Sequence, residues 1–237
     1  MDRSGNPATK LNIGCGYDKR EGYLNIDMDP ACNPDVLIKN NNFSNFPRRE
    51  FREVLAKDVL EHIPRSNTAD AILEWADLLE IGGALSLQTS SILGVADLMR
   101  RHENYANQAN FTIYLFGNQA HPGDFHYTGF TTATLKIHII SAGFEIDSFS
   151  LEDHWLFAVR ARKVLDWTEL ARTGASLSDL EFVEEAYSLA LFRAPEDFFR
   201  RVDLEALESG KLSRREFLKK LYSSEERRLR ISQQRRM

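Results

Sequence analysis

Three side chains that can bind a metal ion or move a proton lie close together in the segment HPGDFHYTGF. His121, Asp124 and His126 fall within six residues. Two histidines and a carboxylate can bind a divalent cation, although Pro122–Gly123 bends the chain between them. The same segment can instead form a loop that closes over a ligand, with His126 as a base and His121 and Tyr127 against the ligand. We favour the loop and expect no metal.

A second pair of candidates lies in the segment KDVLEHI. His62 suits proton transfer because histidine is the side chain that titrates nearest to neutral pH. It could equally cap a helix or pack against neighbours. Asp58 lies four residues earlier and could be a base, orient a base, or cap the turn that follows. The other histidines have no such neighbours, and we expect them to be structural or exposed: His102, His138 and His154.

A glycine turn near the start of the chain points to a nucleoside. The apolar run Leu11–Ile13 ends in Gly14, Cys15 and Gly16, and a second apolar run ends at Asp27. A strand, a glycine turn and a second strand ending in an acid are how α/β proteins hold a nucleoside. Glycines at this turn let the backbone approach a ligand and adopt positive φ. The third glycine of the dinucleotide fingerprint is missing from GCGYDK, so we expect no pyrophosphate.

Apolar runs and helical patterns alternate along the first part of the chain, which predicts an α/β fold with a doubly wound, mostly parallel sheet. Strands are predicted at 11–13, 22–27, 34–38 and 84–91, and within 50–63, where the strand runs into a helical turn. A terminal strand pair is predicted within 145–163. Helices are predicted at 66–83, stopped by Gly82–Gly83, and at 131–143, with an irregular stretch from 92 to 129 between them. Ligands bind such sheets at the carboxyl ends of the strands. That rule puts the following on one rim: the Gly14–Gly16 turn, Asp27, Asn40, Asp58 and Thr89.

The order of these motifs resembles one enzyme family. LNIGCG, YLNIDMDP, VLAKDVLEHI and WADLLEIGGALSLQTSS follow one another as in class I S-adenosylmethionine-dependent methyltransferases. The resemblance is closest to a bacterial branch often encoded among genes for surface polysaccharides, whose late motif is similar to GDFHYTGFT at 123–131. It covers roughly residues 10–163 and implies a Rossmann-like fold, S-adenosylmethionine as cofactor and methyl transfer.

The resemblance also implies roles at the cofactor site. The turn Gly14–Gly16, including Cys15, would hold the methionine end, and Asp27 would hydrogen-bond the ribose hydroxyls. The family usually carries an acid after the third strand for the adenine amino group, whereas this chain has LIKNNNF. The carbonyl of Asn40 could accept the same N–H, or Asn40 could simply form the loop. Asp58 lies on the same rim and is a further cofactor-binding candidate.

Methyl transfer to a hydroxyl needs a base, and His62, His126 and Asp58 are the candidates. The segment 92–130 is rich in aromatic and amide side chains, which suit a sugar ring but also suit any lid that packs on itself. With the resemblance, this favours O-methylation of a sugar hydroxyl in a glycan or surface polysaccharide. Two alternatives stay open: a small lipid-like or natural-product acceptor, or a catalytically silent binding module.

The remaining chain reads as helical. We predict a methyltransferase domain at 1–165, a linker at 166–177 and a helical domain at 178–237 with a basic tail that frays. Ser178 with Glu181, and Ser213 with Glu216, each fit a capping box. The segment resembles a bacterial helical domain of unknown function, often attached to glycan-related enzymes. Its possible roles are docking to a partner protein or to a polymer, contact with a second copy, and packing that stabilises the first domain.

Composition sets the outer limits. A formal net charge of −5 offers no basic face for a nucleic acid, so we expect a small-molecule or glycan substrate. No apolar run approaches the roughly 18 residues of a membrane span, and the N-terminal segment MDRSGNPATK lacks the apolar core of a signal peptide. Cys15 and Cys32 cannot form a disulfide framework. Together these features predict a cytoplasmic protein.

Overall fold

A seven-stranded sheet forms the centre of the computed structural model, which describes residues 9–39, 42–120 and 122–234. The strands are β1 (Lys10–Ile13), β2 (Leu24–Asp27), β3 (Val36–Leu37), β4 (Phe51–Lys57), β5 (Leu79–Ser90), β6 (Phe144–Glu152) and β7 (Leu156–Lys163). Their order is β3-β2-β1-β4-β5-β7-β6, and only β7 runs antiparallel to its neighbours. The predicted Rossmann-like α/β fold is therefore confirmed.

The two faces of the sheet differ in polarity. On one face, Val54 of β4 lies beside Leu85 of β5, and both are buried in the hydrophobic core. On the other face the side chains are mostly polar and half-buried or exposed. We call this second surface the polar face; it consists of Glu53, Lys57, Ser86, Gln88, Ser148, Ser150, Glu152 and Arg160. Because alternate residues of a strand point to opposite faces, β4 and β5 each have buried apolar side chains on one side and mostly polar side chains on the other.

Two helices cover the apolar face. Helix α1 (Thr68–Leu78) buries Ile72 and Trp75 at helical spacing. The prediction that Gly82–Gly83 stops this helix is wrong, since the helix ends at Leu78 and β5 already begins at Leu79. Leu79 pairs with Phe51 in the sheet, and burial of both side chains favours the extended chain over another helical turn. Helix α4 (Thr132–Ser141) follows the prediction closely and packs beside α1.

The predicted irregular stretch after β5 is also wrong, because it contains α2 (Ile92–Arg101) and α3 (Tyr105–Phe116). The Ser91 hydroxyl accepts a hydrogen bond from the Gly94 N–H at 3.1 Å and thereby caps α2. Asn104 caps α3 in the same way. A small separate cluster around Val95 and Phe111 joins the two helices. Few residues of α3 are buried, so its sequence lacks the apolar residues at helical spacing from which a helix is predicted.

Five further helices follow the sheet: α5 (Glu169–Thr173), α6 (Asp179–Leu191), α7 (Asp197–Glu208), α8 (Arg214–Tyr222) and α9 (Glu225–Gln234). Both predicted capping boxes are confirmed, at Ser178 before α6 and at Ser213 before α8. Phe182 of α6 and Phe217 of α8 are fully buried in the hydrophobic core that also contains the apolar face of the sheet. The helices therefore share that core.

The segment predicted as a linker packs tightly. Trp167 is 1% exposed, and its indole N–H donates to the Leu73 carbonyl in α1 at 2.9 Å. Arg215 of α8 lies over the Trp167 ring at 5.0 Å and donates to Asp77 of α1 at 2.9 Å. These contacts join 166–177 to both parts of the chain, while the division into domains at 165 and 178 stays a prediction.

Arg227 ties α9 to the ends of two other helices. Its guanidinium is buried, donates from Nε to the Ser141 carbonyl at 2.8 Å and from Nη1 to the Ala190 carbonyl at 2.6 Å, and lies 4.1 Å from the centre of the Tyr222 ring. Ser141 ends α4, and Ala190 lies in the last turn of α6, where carbonyls lack partners within their own helix. The chain is helical as far as Gln234, so the expected fraying does not occur within 225–234.

The outer surface of the C-terminal helices carries some apolar side chains. Phe198 and Phe199 of α7 are exposed and contact each other edge to face, and Val202 of the same helix is also exposed. Binding of a partner protein or a second copy through these helices stays a prediction. Within the ranges that the structure describes, no helix combines the length and apolarity needed to cross a membrane.

Candidate active site

A cavity of about 610 Å³ opens at the carboxyl ends of β1, β2 and β4. Its volume lies in the range of small-molecule sites. The structure brings five of the predicted site residues together in its wall: Gly14, Gly16, Asp27, Asp58 and His62. The other described residues that line it were not predicted: Tyr17, Met28, Asp29, Cys32, Val59 and Gly123.

The glycine turn after β1 needs both of its glycines. Gly14 has φ of +62°, and a Cβ atom there would lie 2.5 Å from a methyl carbon of Val59. Gly16 has φ of +48°, and nothing lies within 4 Å of its Cβ position. Cys15 between them is 4% exposed and does not line the cavity. Burial, and then the charge of Asp27, raise the pKa of the Cys15 thiol to about 11. Its side chain therefore supports the turn from the core side as a neutral thiol.

Asp27 is held in place by backbone amides. Its Oδ2 accepts a hydrogen bond from the Gly16 N–H at 2.7 Å, and its Oδ1 accepts one from the Asp29 N–H at 2.9 Å. A carboxylate has about four lone-pair positions, so each oxygen keeps one for a ligand. The arrangement fixes two adjacent acceptors at the cavity wall, which suits a pair of neighbouring hydroxyl groups.

Asp58 follows β4 in a backbone conformation that side-chain-bearing residues seldom adopt. Its φ is +51°, a region in which aspartate is one of the better tolerated residues. Its residue surface is exposed, but desolvation of the carboxyl by the surrounding cavity wall raises its pKa, and the nearby Lys57 and His62 act in the opposite direction. Among the described residues, none forms a hydrogen bond or ion pair with this carboxylate.

The structure brings His62 and His126 together, with ring centres 4.7 Å apart and planes at 80°. Nδ1 of His62 lies 3.1 Å from the Phe125 carbonyl, and Nδ1 of His126 lies 3.2 Å from the Tyr114 carbonyl. A carbonyl oxygen only accepts, so we assign the proton of each neutral ring to Nδ1 and the lone pair to Nε2. Burial, and then the neighbouring His62, lower the pKa of His126. Only His62 lines the cavity.

Glu61 is a site residue that the sequence interpretation missed. It is 2% exposed, and its Oε2 accepts a hydrogen bond from the Thr89 hydroxyl at 2.9 Å. Its backbone carbonyl accepts from the N–H groups of Tyr127 at 2.8 Å and Thr128 at 3.1 Å. Burial raises the pKa of the Glu61 carboxyl to about 7. Glu61 therefore fastens the loop 122–130 to the ends of β4 and β5, directly beside His62.

Replacing Glu61 with glutamine should make stability less dependent on pH. The wild-type carboxyl has a pKa of about 7 when folded and near its ordinary value when unfolded, so the folded state binds more protons between these values. Stability therefore falls as pH rises through that window, by about 3 kcal/mol in total. Glutamine keeps an acceptor for Thr89 without titrating. Urea unfolding at pH 5 and pH 8.5 should show the E61Q variant losing about 3 kcal/mol less than wild type over this interval.

The exposed Glu50→Gln variant is the matched control and should follow the wild-type pH dependence. Equal slopes for wild type and E61Q would contradict a buried, late-titrating Glu61.

The loop 122–130 carries further predicted residues. Tyr127 is 54% exposed and lies outside the cavity wall, with its ring stacked near that of Phe125 at 6.1 Å between centres. Asn40 and His121 lie outside the described residues. Across the part of the chain that the structure describes, no three His, Cys, Asp or Glu side chains form a group that could hold a metal ion.

Comparison with known proteins gives similarity to solved structures alone, since no protein-family model and no curated protein sequence matches this chain. An S-adenosylmethionine-dependent methyltransferase from Methanosarcina mazei is 18% identical over 66% of this chain and 92% of that chain, with a TM-score of 0.49. The 1,6-didemethyltoxoflavin-N1-methyltransferase of Burkholderia thailandensis, solved with S-adenosylhomocysteine, is 14% identical over 68% of this chain and 73% of that chain, with a TM-score of 0.47. With identities and scores this low, the strand order of this chain remains the evidence for its fold.

Proposed function

We propose that this protein is an S-adenosylmethionine-dependent methyltransferase that O-methylates a sugar hydroxyl of a glycan. The lining of the cavity carries this proposal. Three aspartates line it, and none of its described lining residues is a lysine or arginine. Such a wall favours a ligand with a sulfonium and an ammonium group and disfavours the phosphates of a dinucleotide or a nucleoside triphosphate.

The residues present fit this cofactor. The Gly14–Gly16 turn allows the close backbone approach that the methionine end needs, because nothing lies within 4 Å of the Cβ position at Gly16. The two fixed acceptors of Asp27 suit the ribose hydroxyls. The cofactor, when bound, supplies an electrophilic methyl group on sulfur.

His62 is the base in this proposal. Its Nε2 carries the lone pair, since its Nδ1 donates to the Phe125 carbonyl. With S-adenosylmethionine bound, the acceptor oxygen would take the methyl group from sulfur, which would keep the electron pair, and Nε2 of His62 would accept the hydroxyl proton. Holding the acceptor in line is the other contribution of the protein.

The loop beside His62 supports a sugar as acceptor. Phe125 and Tyr127 present two exposed, nearly parallel rings. The Phe125 carbonyl contacts the His62 ring, and the Tyr127 N–H donates to the Glu61 carbonyl. Aromatic faces pack against the apolar C–H faces of a sugar ring, while the hydroxyl edges stay free to react. We place the activity in the cytoplasm, because Cys15 and Cys32 are both free thiols and thiols persist in reducing compartments.

Calorimetric titration tests the cofactor part of the proposal. S-adenosylmethionine and S-adenosylhomocysteine should bind, whereas NAD and ATP should not. Asp27→Ala should lower the affinity for S-adenosylmethionine and for S-adenosylhomocysteine by about 30-fold, because it removes charge-assisted hydrogen bonds. Asp18→Ala, an exposed change in the same turn, is the control and should bind as wild type does. Equal binding by the Asp27 and Asp18 variants would contradict the assignment of Asp27.

Methyl-labelled cofactor tests the acceptor. Label should pass to saccharides and not to lipid-like alcohols. Transfer to the alcohols alone would contradict the saccharide as acceptor and support the lipid-like acceptor. Cofactor binding without any methyl transfer would favour a catalytically silent binding module.

A further inference from the structure

Asp58 is held in the cavity wall at some conformational cost. Positive φ strains a residue that carries a Cβ atom, and such outliers concentrate at functional sites. The Asp58 N–H donates to the Gln88 carbonyl at 3.1 Å, which continues the β4–β5 pairing for one more residue. This hydrogen bond fixes where the Asp58 side chain leaves the sheet.

Asp58 also differs from the other two carboxylates of the cavity. Asp27 accepts hydrogen bonds from two backbone N–H groups. Asp29 accepts one from the Ala31 N–H at 2.8 Å. The Asp58 carboxylate accepts none from any described residue. Lys57 and His62 act on its charge from nearby, but its carboxylate oxygens are the ones with the fewest hydrogen bonds of the three and are the most available to a cation in the cavity.

The position of Asp58 along the cavity follows from strand pairing. Ile13 of β1 pairs with Ala56 of β4, so Asp58 emerges beside the Gly14–Gly16 turn. Asp27 lies on one side of this turn, on β2, and His62 lies beyond Asp58 on the other. Asp58 therefore lines the cavity together with Asp27, which would hold the ribose, and His62, which would face the methyl group.

We infer that Asp58 makes this cavity prefer the charged methyl donor over its uncharged product, an inference that rests on the proposed function. Methyl transfer removes the positive charge from sulfur: the methyl carbon leaves, and sulfur keeps the electron pair. A carboxylate without hydrogen-bond donors from the described residues attracts the sulfonium and has no charge–charge attraction to the thioether. The same residue that holds the substrate form of the cofactor thus releases the product form.

Titration with three ligands tests this inference. S-adenosylmethionine, S-adenosylhomocysteine and sinefungin, which carries an amine in place of the sulfonium, are titrated into wild type, Asp58→Asn and Asp58→Gly. Both variants should bind the two cationic ligands about tenfold more weakly and the thioether within about twofold of wild type. Asp58→Gly removes the charge and suits positive φ, so it reports on charge without added backbone strain.

The outcomes separate the two proposals. Equal weakening of all three ligands, or unchanged affinities, would overturn the role of Asp58 and leave the proposed function standing. If the wild-type protein binds none of the three ligands, the proposed function itself is contradicted. Asp18→Asn, which changes charge by the same amount outside the cavity, should leave the preference for the cationic ligands unchanged; an equal loss there would assign the preference to overall charge.

Discussion

Replacing His62 with asparagine should lower kcat by about 10²–10⁴-fold, the usual contribution of a positioned general base. Asparagine can still donate a hydrogen bond to the Phe125 carbonyl, which His62 Nδ1 contacts at 3.1 Å. It cannot take a proton from the acceptor. The loop geometry should therefore survive while the proton acceptor is lost. Single-turnover methyl transfer from labelled cofactor, with the affinity for S-adenosylmethionine measured in parallel, is the test.

His126→Asn is the matched control for that experiment. His126 packs against His62 and contacts the Tyr114 carbonyl, but it does not line the cavity. Its replacement should slow transfer far less than His62→Asn, through a looser His62 ring. If His126→Asn proves the more damaging of the two, the assignment of the base to His62 is wrong.

Replacing Arg227 with methionine should lower the free energy of unfolding by about 3 kcal/mol or more. The change leaves the Ser141 and Ala190 carbonyls without their donor and removes the cation from the Tyr222 ring. Each buried group left unpaired costs about 1–3 kcal/mol. Burial opposes the charge of Arg227 and lowers its pKa, which offsets part of the loss. Urea unfolding of the variant at neutral pH measures the net effect.

Two further variants separate the causes. Arg227→Lys keeps the charge, and its free energy of unfolding should lie between those of wild type and R227M. An ammonium cannot reach both helix ends as the planar guanidinium does. Arg201→Met changes an exposed arginine of α7 and should cost less than about 0.5 kcal/mol. A methionine variant as stable as wild type would mean that desolvation of the guanidinium cancels all of its hydrogen bonds.

Local sequence predicted the elements of the sheet and much of the cavity. The Gly14–Gly16 turn, Asp27 and Asp58 follow strands whose apolar runs are evident in the sequence, and parallel pairing brings their ends together. Glu61 could not be predicted to be buried, because its burial depends on Thr89 and on the loop 122–130, both distant in sequence. An acidic residue in a short helical turn usually faces water.

Burial in the C-terminal helices likewise could not be predicted from local sequence. Arg227 lies in a basic segment that by composition belongs in solvent, and only the arrival of α4 and α6 buries it. Polar side chains of these helices also hold them together. The Tyr187 hydroxyl donates to the buried Asp203 at 2.7 Å, and Arg193 forms two hydrogen bonds with Glu226, at 2.7 and 2.9 Å.

Because one side of β4 lies on the polar face and the other in the core, the two sides should tolerate different substitutions. In β4, Glu53 and Lys57 lie on the polar face, whereas Val54 and Ala56 are fully buried. Side chains of many sizes fit the first pair, but close packing restricts the second. Inserting one residue into β4 would exchange the two sets, burying charge and exposing the core. Accepted substitutions should therefore alternate along β4, and insertions should be confined to the loops at its ends.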